Sequence, residues 1–159
     1  MKTLSFFRLV VALGLCLGVG ALGSLATTPK IPTWYAGLAK PSFTPPDAAF
    51  PLVWTLLYIA MAITLWRLWD RLEPSPARTR ALRAFAVQLA LNALWSPVFF
   101  GLEAIGWALA VILALWVAIA ATIAATWPLD RLGAVLLAPY LVWVSYATAL
   151  NLAILTMNP

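Results

Sequence analysis

Histidine is absent from the 159 residues, cysteine occurs once, and charged side chains make up only 9%. Without histidine the chain lacks the commonest metal and haem ligand and the usual general base near neutral pH. The single cysteine, Cys16, excludes an intramolecular disulfide and leaves the redox compartment unread. A soluble domain carries about a quarter charged residues, so water is not the main solvent of this chain. No Asp, Glu, Lys or Arg falls near the middle of an apolar stretch. Proton pumps and ion-coupled transporters keep such groups at bilayer depth, and that class is disfavoured. Nor does the sequence offer a nucleophile–base pair, a carboxylate dyad or a metal cluster. A catalytic role is therefore not expected, and no cofactor is required by any motif.

What the chain has in abundance is apolar side chains, 64% of the total. At ~20 apolar residues per crossing, the length accommodates five spans and little else, in a single domain covering 1–159. The patterning predicts an all-α integral membrane protein, a five-transmembrane-helix bundle with helices over 4–26, 49–69, 84–100, 106–127 and 132–155. The first stretch has a rival reading as a signal peptide, with Lys2 before an apolar run and Gly-Ser-Leu-Ala after it. Its length and the lack of an A-x-A site favour a retained helix, and Leu15 spoils a lipoprotein box at Cys16. Gly14 and Gly18 form a G-x-x-x-G, with Gly20 and Gly23 beyond, allowing close helix packing suited equally to the inside of the bundle or to a dimer face. Residues 27–48 hold Pro29, Pro32, Pro41, Pro45 and Pro46 and are expected to form a loop. Loops of this length are commonly functional. Trp34, Tyr35 and Phe43 make it aromatic, so its rings should lie against something apolar, either the headgroup region or the mouth of the bundle, where it would serve as a lid. An odd number of spans without an internal repeat disfavours an inverted-repeat transporter.

Basic residues segregate by end. Lys2, Arg8, Arg67, Arg71, Arg78, Arg80, Arg83 and Arg131 fall on the side of the N-terminus, and only Lys30 and Lys40 on the other. The positive-inside rule places the N-terminus in the cytoplasm and the long loop and C-terminus outside. It favours a bacterial inner membrane over an outer one. The net charge of +5 is thus a matter of orientation in the lipid bilayer, and a nucleic-acid partner is not expected.

The few polar residues inside the spans are patterned. On the third helix Gln88, Asn92 and Ser96 recur every four residues and share a face, with Trp95 beside it and Pro97 one turn on. By themselves such amides serve equally well as hydrogen-bonding glue between helices. The fifth helix carries Tyr140, Trp143, Ala147 and Asn151 on one stripe, and the second carries Phe50, Trp54 and Tyr58. Three one-sided mixtures of rings and hydrogen-bonding groups suit a flat, mostly apolar ligand, although core and belt packing would use the same residue types.

Several ordered motifs carry a resemblance. Trp34-Tyr35-Ala36-Gly37-Leu38-Ala39-Lys40-Pro41-Ser42-Phe43-Thr44-Pro45-Pro46 resembles the first-loop signature of the TspO/MBR family, the tryptophan-rich sensory or translocator proteins. The likeness continues through Phe50-Pro51-x-x-Trp54-x-x-Leu57-Tyr58-x-x-Met61 and Gln88-Leu89-Ala90-Leu91-Asn92-x-x-Trp95-x-Pro97-x-Phe99-Phe100-Gly101. Gly106-Trp107-Ala108-Leu109, Pro139-Tyr140-Leu141-x-Trp143 and Ala149-Leu150-Asn151 complete it, across four helices and the loop.

The resemblance implies a helix bundle, often a homodimer, with a pocket beneath the first loop. It implies binding of porphyrins and related tetrapyrroles and, in animal members, of cholesterol and benzodiazepine-type drugs. Carried over by position, Trp54, Asn92 and Trp143 would line the pocket, with Tyr58, Trp95, Trp107 and Ala147 nearby and Trp34, Tyr35, Pro45 and Pro46 in the lid. Lys30 and Lys40 would meet porphyrin propionates. Without histidine, iron ligation would fall to Tyr, Cys16 or Met, so stacking is expected rather than haem-type coordination. Some bacterial members are associated with light-dependent porphyrin breakdown through pocket tryptophans, and others with regulation. After Leu150-Asn151 the chain lacks the aromatic and basic residues of the animal sterol motif, which counts against sterol binding by that route.

Overall fold

The computed structural model describes residues 2–159, with side chains from Thr3 onward, so the side chain of Lys2, one of the orienting cations, lies outside the description. Five helices are long and apolar enough to cross a membrane, and no strand occurs among the described residues. The first span is α1 (Lys2–Thr27) with its extension, the second α2 (Ala49–Trp66), the third α3 (Pro76–Ser96) and the fourth α4 (Ile105–Thr126). The fifth consists of α5 (Arg131–Leu136) and α6 (Ala138–Met157), parted at Leu137 where Pro139 opens the new helix. The chain is an integral multi-pass membrane protein. In hydrocarbon every backbone N–H and C=O must find an internal partner, which leaves helices as the natural solution for spans of this composition.

The same constraint corrects the expected 27–48 loop. The chain does not leave the helix at Pro29 and Pro32. It tightens into a 3₁₀ turn over Thr28–Lys30 and widens into a π turn over Ile31–Tyr35, so the first span runs on to Tyr35. Proline removes one donor, and local 3₁₀ and π adjustments re-satisfy the freed carbonyls. Only the residues beyond 37 form an irregular segment. Pro97 behaves alike, marking where α3 passes into the wider turn Pro97–Gly101.

The third helix starts eight residues before the expected 84. Ser75 caps it, accepting a hydrogen bond from the Arg78 N–H at 3.1 Å, and Pro76 occupies its first turn. The arginines of that stretch suggest a linker by composition, but they lie on a helix that projects past the apolar slab.

Within the bundle α1 packs against α2 and α3, α3 against α4, and α4 against α6. Gly20 and Gly23, not the G-x-x-x-G pair, supply the close approaches of α1. A Cβ at Gly20 would lie 2.5 Å from the Tyr58 ring and one at Gly23 would lie 3.3 Å from the Ser96 hydroxyl, while Gly14 and Gly18 face open space. The backbone of α2 comes close to α5, where Thr64 donates to the Gly133 carbonyl at 3.0 Å, but α2 reaches α6 largely through rings.

At the end that carries the N-terminus, ion pairs clamp the helices. Arg67 grips Asp130 in a fork at 2.6 and 2.9 Å, and Arg8 meets Asp70 at 3.0 Å. The Arg67 guanidinium holds the Asp130 carboxyl below the ordinary carboxylate range, with backbone donors of Gly133 and Leu132 assisting. A carboxylate with a lowered native pKa contributes its full stabilisation above the unfolded value of ~3.9 and loses it as the pH falls through the native value. In detergent, Asp130→Asn is expected to lower stability by about 1–3 kcal/mol at pH 7, as befits a largely buried fork. The gap in thermal midpoint between wild type and variant should hold steady above about pH 5 and shrink below about pH 4. A gap that stayed constant down to pH 3 would contradict the assignment.

Candidate functional site

A cavity of about 210 Å³ lies at the other end of the bundle, walled by α1, α2, α3, α4 and α6. Its floor is a hydrogen-bonded chain across three helices. The Tyr58 hydroxyl donates to Asn92 Oδ1 at 2.6 Å, and Asn92 Nδ2 donates to the Tyr140 oxygen at 2.8 Å. Tyr58 and Asn92 are buried at its edge, and Tyr140 is fully buried behind them. Trp54 stacks on Tyr58 with centroids 5.5 Å apart and meets Tyr140 edge-on at 6.2 Å. The absence of a Cβ at Gly20 is what lets the Tyr58 ring lie against α1.

A second set of contacts fixes the upper wall. Trp95 Nε1 donates to Asn151 Oδ1 at 3.2 Å, and Asn151 Nδ2 donates to the Ile105 carbonyl at 3.1 Å, joining α3, α6 and the start of α4. Trp95 stacks on Phe99 at 5.0 Å, and Phe99 and Phe100 receive the edges of Trp34 and Tyr35 from the α1 extension. Phe50 meets Trp143 at 5.9 Å across the gap between α2 and α6. The Trp143 indole N–H is buried and without a hydrogen-bond partner.

The irregular segment 38–48 is tied to α6. Asn158 accepts from the Ala39 N–H and donates to the Ala39 carbonyl, both at 3.0 Å. The Tyr146 hydroxyl donates to the Phe43 carbonyl, and the two rings meet edge-on at 6.2 Å. Both lysines of this end are occupied. Lys30 pairs with Glu103 at 2.6 Å, and Lys40 donates to the Leu38 carbonyl at 3.0 Å above the Tyr35 ring. Neither stands free as an anchor for a propionate. Glu103 reaches its partner from the turn after α3, where its φ of 56° is one few non-glycine residues adopt.

Of the residues singled out from the sequence, Phe50, Trp54, Tyr58, Asn92, Trp95, Trp143, Ala147 and Tyr35 line the cavity. Tyr140 supports the floor from behind. Gln88 is fully buried below Asn92, outside the cavity lining, with its amide making no hydrogen bond. Trp107 is not near the cavity: it is 75% exposed on the outer face of α4, because the helix turns that position toward lipid. Trp34 packs on the phenylalanines outside the lining, and Phe43, Pro45 and Pro46 belong to the segment above without forming its wall. Gly20 was read from the sequence as a packing glycine but not as part of the cavity, and Asp47 and Asn158 escaped sequence reasoning. The solitary acid of the 27–48 stretch was the available signal for Asp47; Asn158 had none.

The Tyr58–Asn92–Tyr140 chain makes a specific energetic demand. Asn92→Leu strands two buried hydroxyls and should cost about 2–3 kcal/mol in detergent unfolding, because an unmet buried donor loses more than a bond supplies. Adding Tyr58→Phe and Tyr140→Phe to that variant should restore most of the loss. A triple variant less stable than Asn92→Leu alone would refute the chain as described.

The TspO/MBR family model matches residues 12–157. The chain is 43% identical over 143 residues to the tryptophan-rich sensory protein of Cereibacter sphaeroides, covering 88% of each. It is 40% identical over 146 residues to the translocator protein of Sus scrofa, covering 91% of this chain and 83% of that one. Protein CrtK of Rhodobacter capsulatus is 36% identical over 144 residues, covering 91% and 88% respectively.

Proposed function

Since the chain belongs to the TspO/MBR family, we propose that it is a membrane receptor that senses or carries flat, largely apolar ligands of the porphyrin type. The observation that carries this reading is the cavity itself, with indole and phenol rings on its walls and a segment above it tied down at Asn158 and Tyr146. Rings stack on a planar body, and a few fixed polar groups set its orientation. The relatives named for sensing and translocation support a role in recognition rather than turnover. At about 210 Å³ the cavity is smaller than the ~300–1,000 Å³ usual for small-molecule pockets. A whole tetrapyrrole therefore enters with segment 38–48 displaced, which makes that segment the gate. The arginine distribution supports an N-terminus in the cytoplasm, so the gate opens on the far side of an inner membrane.

Protoporphyrin added to the full-length protein in neutral detergent should quench tryptophan fluorescence saturably. Trp143→Ala and Ala147→Trp should each weaken that binding at least about tenfold, a loss of about 1.4 kcal/mol. Quenching that never saturates, or that ignores both substitutions, would refute the reading.

A second reading has its own support. Trp54 and Trp143 both line the cavity, and Trp54 is stacked on a phenol. Light-excited porphyrin held there would accept an electron from an indole, and the porphyrin radical anion would add dioxygen at a ring carbon. As the electron returns to the indole radical cation, the O–O and ring C–C bonds break and both oxygen atoms stay on the opened macrocycle. Under illumination in air, Trp54→Phe combined with Trp143→Phe should slow bleaching of bound protoporphyrin. Equal bleaching rates at equal occupancy would remove this reading and leave the receptor.

A further inference from the structure

Asp47 is the one charged side chain among the residues that line the cavity. Of the chain's five acids, Asp70 is paired with Arg8, Glu103 with Lys30 and Asp130 with Arg67, while Glu73 is an exposed residue of the turn before α3, at the opposite end from the cavity. Asp47 has no cation within salt-bridge distance among the described residues. At the cavity end Lys30 is paired with Glu103, whereas Lys40 bonds the Ala36 and Leu38 carbonyls and keeps its charge outside the lining, above the Tyr35 ring. Within the lining itself the only charge is the Asp47 carboxylate, which has no ion-pair partner, at the edge of an apolar, ring-lined interior.

Its depth matters as much as its charge. The exposed lining residues, Ser24, Thr28, Asp47 and Pro51, come from the end of the α1 helix and the beginning of α2. The mouth thus lies between these two helices, at the level where α2 enters the apolar slab. A molecule dissolved in the bilayer with a cationic head at the interface and a flat body among the acyl chains presents its charge and its apolar surface in the same order as the site. Phe50, three residues on in the first turn of α2, adds an aromatic ring to the same side of the lining.

We propose that Asp47 selects ligands by charge. The cavity takes flat apolar molecules bearing a protonated amine at one edge and disfavours those bearing a carboxylate there. This rests on the reading of the cavity as a ligand site and narrows it: porphyrin propionates meet no cation in the lining and a like charge at the mouth. Because Asp47 is exposed, the preference is modest and falls with salt.

The test uses the full chain in a neutral maltoside detergent at low ionic strength. Three probes share one ring system: 1-pyrenemethylamine, 1-pyrenemethanol and 1-pyrenecarboxylate. Affinity is read from tryptophan quenching. The amine should bind about three- to fivefold tighter than the alcohol, and the carboxylate more weakly than either. Asp47→Asn should bring the amine to the affinity of the alcohol, and Asp47→Lys should invert the order. Equal affinities in wild type, or an amine preference that survives Asp47→Asn, would overturn the proposal while leaving the cavity a ligand site. Absence of saturable quenching by all three probes would overturn the ligand-site reading itself.

Discussion

The Tyr58–Asn92–Tyr140 chain is the constraint on which the rest of the upper bundle depends. It joins α2, α3 and α6 at the depth where α2 and α6 draw apart, and it does so with groups that have no alternative partner in hydrocarbon. Its geometry needs Tyr58 pressed against α1, which only a glycine at position 20 allows. One missing methyl group on α1 thus sets the position of a ring on α2, that ring sets an amide on α3, and the amide sets a phenol on α6. The stacking of Trp54 on Tyr58 then follows, and so does the floor of the cavity.

Lipid does not drive apolar surfaces together as water does, so a membrane bundle can keep a gap that a soluble core would close. What must be explained is why the gap stays in one place. Polar ties hold both ends. Arg67 with Asp130 and Arg8 with Asp70 close the end that carries the N-terminus. At the other end Lys30 meets Glu103, and Asn158 binds the Ala39 backbone. Between them the helices diverge around rings that touch edge to face and leave room on one side. Segment 38–48 crosses that room, bonded to the end of the first span at Tyr35 and Ala36 and tied across the bundle by Tyr146 and Asn158 of the last.

Much of this was legible in the sequence, for definite reasons. Five spans follow from apolar length, and the stripes on α2, α3 and α6 follow from helical periodicity, which lipid cannot disguise. Asn92 and Trp143 could be placed on facing stripes for that reason. The prolines misled because their usual meaning belongs to water. In water a freed carbonyl is hydrated and the helix ends; in hydrocarbon Pro29 and Pro32 are absorbed by tighter and wider turns. The arginines of the 76–83 stretch misled in the same way, since a helix that projects beyond the slab is polar on its exposed faces and reads as linker. Trp107 was placed by motif alone, and a motif carries no direction: its neighbour Ala108 is fully buried while the indole itself turns to lipid.

Charge is the last element, and its placement is not symmetrical. At the end that carries the N-terminus Asp70 and Asp130 are each matched by an arginine and fasten helices, and the exposed Glu73 stands among a surplus of arginines. At the cavity end Glu103 is matched and Asp47 is not. Asp47 forms no ion pair, and it sits at the edge of the opening between α1 and α2. To the fold it contributes its carbonyl, which accepts from the Phe50 N–H, and a charge just ahead of α2 that complements that helix's N-terminal dipole by about 0.3–1 kcal/mol. Asn or Ser would keep the carbonyl and lose only that small contribution, so the larger consequence of the carboxylate falls on whatever passes the mouth.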